Sequence, residues 1–213
     1  MIAILSFFLK FQLMLTFGAM AFVMNYEPAQ DWMLENSSWI FIVSLMILFS
    51  SMCAMACCVD LRRKTPYNYL LLGVFTIAEA FLLSMVTMRF PSGVILMAIG
   101  LTTIVVFALT IFAIQTKIDF TTCGGVLLIA GVLFIIFTIV VMFFPSHTLI
   151  YIQASIGVAL FSLYLIYDTQ LMMGGDRKNF ISPEDYIFAA LSIYLDIVNI
   201  FLYILVLLGL IDD

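Results

Sequence analysis

The chain has 213 residues, of which 65% are hydrophobic and 10% charged, with a mean hydropathy of +1.24. A soluble domain of this size carries roughly a quarter charged residues, so polar surface is too scarce to cover a globule and lipid must solvate most of the chain. The formal net charge of −5 leaves no basic stripe to meet phosphates, which excludes a nucleic-acid partner, and no hydrophilic stretch is long enough for a separate soluble domain.

A hydrocarbon core of ~30 Å needs about 20 apolar residues per helix. Seven runs qualify, at 3–24, 39–59, 68–88, 94–115, 122–144, 149–173 and 186–211. They predict one all-α membrane domain over residues 1–213 with seven transmembrane helices. The first run carries Lys10 in its middle, and no A-x-A site follows it. It reads as a retained helix, not a signal peptide.

Asn25 to Ser38 breaks the pattern with Glu27, Pro28, Asp31 and Glu35, and contains the glycosylation sequon Asn36-Ser37-Ser38. The second run ends at Cys53, Cys57 and Cys58, followed by Arg62, Arg63 and Lys64. Glu79 lies inside the third run, and Phe90-Pro91-Ser92-Gly93 is a tight turn into the fourth. Cys123 opens the fifth run, and Pro145-Ser146-His147 turns the chain into the sixth. Gly174-Gly175 stops that helix, and Ser182-Pro183-Glu184-Asp185 supplies an N-cap, an N1 proline and first-turn acids for the seventh.

Positive loops stay cytosolic. Loops two, four and six hold Arg62, Arg63, Lys64, Lys117, Arg177 and Lys178, whereas loops one, three and five hold only Arg89. The amino terminus is therefore predicted cytosolic, which disfavours a receptor coupled to G proteins. A crossing seventh helix places Asp212-Asp213 on the far side; a re-entrant one returns the carboxyl terminus to the cytosol. The four cysteines sit near the reducing side, so disulfides are not expected. No C-x-x-C is present and His147 is the only histidine, so no zinc site or other cofactor is expected. Cys57 and Cys58 suit either packing or palmitoylation. The 14 Met and 21 Phe read as packing and lipid-facing surface.

Three carboxylates fall inside apolar runs: Glu79, Asp168 and Asp196. Each costs ~2.5–3.5 kcal/mol on insertion scales and calls for a partner or a function. An interhelical polar clasp is the plain alternative. At 1.5 Å per residue, Asp196 lies ~15 Å and Asp168 ~8 Å from the cytosolic edge. Side chains slant toward the amino end of their helix, and these two helices run in opposite directions, so the carboxylates converge. Two carboxylates that converge out of water cannot easily both ionise, and would share a proton. By the same slant Arg62 points into the membrane as a counter-charge to Asp168, and a pair that breaks on protonation is a gate.

These residues carry a resemblance. Tyr167-Asp168-Thr169-Gln170, Ser182-Pro183-Glu184-Asp185-Tyr186-Ile187-Phe188-Ala189-Ala190-Leu191 and Tyr194-Leu195-Asp196-Ile197-Val198-Asn199-Ile200-Phe201 resemble the transmembrane Bax inhibitor motif, or lifeguard, family. Cys57-Cys58, Arg62-Arg63 and Pro66-Tyr67-Asn68 look like that family's helix-two exit. Gln115-Thr116-Lys117-Ile118-Asp119-Phe120-Thr121 looks like its fourth loop, closest to the glutamate-receptor-associated branch. Members of that branch carry a proline-rich cytosolic extension, whereas here the first apolar run begins almost at once.

The resemblance implies six helices surrounding a central seventh. It also implies a pH-responsive calcium leak of an endoplasmic reticulum, Golgi or plasma membrane that restrains cell death. The paired aspartates of the family map onto Asp168 and Asp196, which would also contact calcium transiently, and its latch arginine onto Arg62. Glu79 is a further candidate for a cation pathway. Calcium, protons, lipid and membrane proteins of apoptosis signalling are the expected partners. Two other readings stand beside the leak. A non-conducting interaction protein could use small residues such as Ser155 and Ala159 for helix contacts, although packing within one bundle explains them equally. An intramembrane aspartyl protease needs Gly-x-Gly-Asp where this chain has Tyr194-Leu195-Asp196, so enzymatic activity is not expected.

Overall fold

In hydrocarbon every backbone N–H and C=O must be satisfied inside its own segment, and a long apolar run does that as a helix. The computed structural model describes residues 2–58, 63–174, 179 and 185–212. Among them are eight α-helices and no strand: α1 (Ile2–Asn25), α2 (Glu27–Glu35), α3 (Ser37–Cys57), α4 (Tyr67–Thr87), α5 (Ser92–Gln115), α6 (Gly124–Phe143), α7 (His147–Met173) and α8 (Tyr186–Asp212). A 3₁₀ turn, Phe120–Cys123, leads into α6. All but α2 are long and apolar enough to cross a membrane, seven spans in total, and each matches its predicted run to within two residues at either end. The chain is a multi-pass integral membrane protein.

The stretch expected as a plain break, Asn25 to Ser38, instead contains α2. Pro28 sits in its first turn, where a missing N–H is no loss, and Glu27 meets the positive end of the helix dipole. Met33 anchors the helix, fully buried, while Trp32 stays half exposed. Asn36 ends α2, and its Nδ2 donates to the Trp32 carbonyl at 2.9 Å, so the sequon asparagine is tied back onto the preceding turn.

Other ends follow the sequence chemistry. Ser146 caps α7 by accepting from the Leu149 N–H at 3.2 Å. Gly174 stops it with φ 60°, a conformation that favours glycine, and its N–H donates to the Gln170 carbonyl. Gly175, Arg177, Lys178 and the Ser182-Pro183-Glu184 cap lie outside the described residues.

The chain forms two compact units, Met1–Pro91 with Ser182–Tyr194, and Ser92–Ile181 with Leu195–Asp213. In the first, α1 and α3 both pack on α4. Phe8 stacks on Tyr69 with ring centroids 5.3 Å apart, and the Tyr69 and Tyr186 hydroxyls share a 2.8 Å hydrogen bond. In the second unit, α5 and α6 both pack on α7. Tyr203 of α8 stacks on Phe161 at 5.8 Å and meets Phe134 edge-on at 5.5 Å.

Large apolar side chains such as Trp39, Phe49 and Phe143 point away from the protein. Lipid tails are as apolar as any core, so nothing drives them inward. Half of the α8 span is enclosed by protein, against 17% for α3, α5 and α6. A helix so walled is where a polar side chain can avoid hydrocarbon.

Close packing of α7 against Tyr203 depends on a missing side chain. A Cβ at Gly157 would lie 2.6 Å from the Tyr203 ring. Gly157→Ala should therefore lower the thermal unfolding midpoint in detergent, with overpacking of about 1–3 kcal/mol exceeding the helix propensity gained. In a Tyr203→Ala background the same substitution should cost nothing more. Equal losses in both backgrounds would show that the ring is not what the alanine meets.

Candidate functional site

The acidic turn of α7 is held rigid from both sides. The Tyr164 hydroxyl donates to the Leu127 carbonyl of α6 at 2.7 Å. It reaches that close because Gly131 faces it; a Cβ there would lie 2.5 Å from the phenol oxygen. One turn on, the Tyr167 hydroxyl lies over Gly124, where a Cβ would sit 2.8 Å away. Small residues on one helix admit large ones from the next, the usual device for close packing in lipid.

Gln170 is wholly buried and clamps the segment before α6. Its Nε2 donates to the Ala113 and Ile118 carbonyls at 3.2 and 3.0 Å, while its Oε1 accepts from the Phe120 N–H at 2.8 Å. Asp119 caps the 3₁₀ turn through Thr121, and Asn179 Nδ2 donates to the Thr121 carbonyl at 2.8 Å. The loop that carried part of the resemblance is thus a docked element.

Between these anchors Asp168 faces Asp196 of α8, and the two carboxyls are in side-chain hydrogen-bond contact. Asp196 is buried, at 5% exposure, and its Oδ2 has no hydrogen-bond donor among the described residues. A carboxylate has no hydrogen to donate, so the contact is a hydrogen bond only while one of the two acids carries a proton. Tyr164 lies within electrostatic range of both acids, but its own proton is given to Leu127. It can only accept from them.

The convergence expected from side-chain slant is therefore present for Asp168 and Asp196. Arg62, the expected counter-charge, lies outside the described residues. Its neighbour Arg63 makes a two-pronged ion pair with Asp185, Nε to Oδ1 and a terminal nitrogen to Oδ2, both at 2.9 Å. The sequence reading missed this pair. The signal for it was a basic cluster and an acid at two helix ends assigned to the same membrane face. Glu79 sits on α4 in the first unit, where Tyr194 lies within range of its charge. Among the described residues no group of three or more His, Cys, Asp or Glu gathers as a metal site, and the four cysteines are free and exposed.

Known proteins resemble the chain over nearly its whole length. Residues 7–213 match the family described as inhibitor of apoptosis-promoting Bax1. The chain belongs to this Bax inhibitor family. Protein lifeguard 3 of Mus musculus is 36% identical over 202 residues, covering 93% of this chain and 65% of its own length. Its Homo sapiens counterpart gives 36% over 202 residues, with 93% and 64% covered. Protein lifeguard 4 of Mus musculus is 31% identical over 198 residues, covering 92% of this chain and 79% of its own length. The chain thus spans about two thirds of the length of the lifeguard 3 relatives.

In this member of the Bax inhibitor family the Arg63–Asp185 pair ties together the ends of two spans. Arg63→Gln and Asp185→Asn should each lower the unfolding midpoint in detergent. The double variant should lose less than their sum, with a coupling of about 1–2 kcal/mol for a two-pronged, partly solvated charge pair. Strictly additive losses would show the pair contributes nothing of its own.

Proposed function

We propose that the chain is a pH-sensitive calcium leak of an intracellular or plasma membrane that modulates calcium homeostasis and restrains apoptosis. Asp168 and Asp196 serve as the proton-responsive gate, Arg62 as the latch on Asp168, and Glu79 as a further carboxylate for the passing cation. The observation that carries the reading is the contact between two acids on different spans, one of them with a buried oxygen that lacks a donor. With a shared proton the contact is a clasp between α7 and α8. Without it, two like charges face each other out of water and separate, or attract a cation.

Calcium is the natural cation for carboxylate and carbonyl oxygens. Two acids are too few for a storage site, so passage fits better than retention. The family description, inhibitor of apoptosis-promoting Bax1, supports a role in cell death. No reaction is assigned: Asp196 follows fully buried Tyr194, with no glycine nearby to admit a substrate backbone.

One observation favours the interaction reading. Ser155 and Ala159 are exposed on α7, so packing inside the protein does not account for them. A partner helix could lie along that face. The two readings separate cleanly. In liposomes loaded with the reconstituted protein, Asp168→Asn and Asp196→Asn should each change calcium flux and flatten its dependence on pH. Flux and pH response identical to wild type in both variants would remove the aspartates from the mechanism and leave partner binding as the function.

A further inference from the structure

A second polar cluster lies in the first unit, where buried Gln12 and Thr16 of α1, Thr76 of α4 and Tyr194 of α8 are linked by hydrogen bonds, with half-buried Glu79 of α4 nearby. We propose that it binds a monovalent alkali cation, with Glu79 as the charged ligand and Gln12 Oε1 as a neutral one. The inference does not rest on the leak reading, although it gives Glu79, there a carboxylate for the passing cation, the role of a resident ligand.

The argument is an accounting of hydrogens. The Thr76 hydroxyl donates to the Leu72 carbonyl at 2.7 Å, so toward Gln12 it can only accept, from Nε2 at 3.1 Å. That fixes the amide: turned over, Gln12 would set its oxygen against an acceptor. Gln12 is 1% exposed, and its Oε1 finds no donor among the described residues. The Thr16 hydroxyl donates to the Gln12 backbone carbonyl at 2.9 Å. Tyr194 must therefore be the donor in its 2.8 Å contact with Thr16. Every hydroxyl proton of the cluster is given away, so none of them reaches Gln12 Oε1.

Glu79 completes the cluster. It follows Thr76 by three residues, which puts the two on the same face of α4. Tyr194 lies within range of its charge. Among the described residues Glu79 has no ion-pair partner, and the basic residue of α1, Lys10, is exposed.

One negative charge and an orphaned amide oxygen within a membrane span call for a positive guest. Charge decides its class. A monovalent ion brings the cluster to neutrality, whereas a divalent ion would leave one positive charge uncompensated. Calcium also takes 6–8 oxygens, commonly with several carboxylates, and no such acid cluster is present among the described residues. The competing guest is a proton on Glu79 donated to Gln12 Oε1.

The test uses the full chain purified in detergent, at one mildly alkaline pH and constant ionic strength, with sodium or potassium replaced by N-methylglucamine. The expected result is a saturable rise of the unfolding midpoint with one alkali cation. Glu79→Gln should abolish it, and Gln12→Leu should raise the half-saturating concentration about tenfold, the loss of one good ligand oxygen. If neither variant folds, the wild-type titration decides alone. A midpoint that responds equally to sodium, potassium and N-methylglucamine overturns the site. So does a cation response that survives Glu79→Gln, or a Glu79→Gln protein more stable than a cation-indifferent wild type, which would assign the guest as a proton.

Discussion

A charge inside hydrocarbon has to be answered by something, and the rest of this structure is arranged around that demand. A carboxylate in the middle of a span costs ~2.5–3.5 kcal/mol on insertion scales. The chain carries three such acids, and they are answered in two ways. Asp168 and Asp196 answer each other, which works only with a proton between them. Glu79 stands three residues from Thr76 on one face of α4 with Tyr194 within range of its charge, and under the cation proposal a positive guest answers it. The first arrangement suits a group that changes state with proton supply. The second suits one that holds its state.

The same demand sorts the uncharged polar residues by length. Short hydroxyls satisfy themselves: Thr103, Thr110, Thr138 and Ser155 each donate to the carbonyl four residues back on their own helix. A glutamine is too long to do so, and it crosses to another element instead. Gln12 reaches Thr76, Gln153 reaches Thr138 at 3.0 Å, and Gln170 reaches three backbone groups before α6. Interhelical bonds of this kind contribute about 0.6 kcal/mol each on average in lipid. Their larger effect is on register, since a glutamine that must meet a fixed acceptor permits one axial setting of its helix. Gln170 lies two residues beyond Asp168, so the clamp on the loop also sets the height of the acid.

Much of this was legible in the residues. Span limits followed from apolar length and from Pro145, Ser146 and Gly174 at the ends. The meeting of Asp168 and Asp196 followed from depth and slant, two quantities that sequence alone provides. What escaped was whatever depends on rotation about a helix axis. Gln12, Thr16 and Thr76 are single polar residues in apolar runs that the sequence reading passed over, and Tyr194 entered it only within a family motif. Only their spacing, four residues on α1 and three between Thr76 and Glu79, hinted at a shared face. Rotation also decides which arginine of a neighbouring pair finds an acid, and the pairing of Arg63 with Asp185 needed coordinates. Helix α2 was hidden for a different reason. Nine residues with four acidic or proline positions look like a loop until Met33 finds a buried site that repays folding.

Inward and outward faces carry different chemistry, and that bears on how conduction and partner binding relate. The outward faces consist of rings, aliphatic chains, free cysteines and small residues such as Ser155. Of the three acids within the spans, Asp196 is buried and Asp168 and Glu79 are half-buried. A response to pH must therefore originate in the interior and reach the surface, if at all, through a shift of α7 or α8. Binding at the surface needs no such shift. Under a binding-only reading Asp168 and Asp196 are left with the role of an interhelical clasp. Keeping Asp168 and Asp196 in hydrocarbon is costly under that reading and purposeful under the leak.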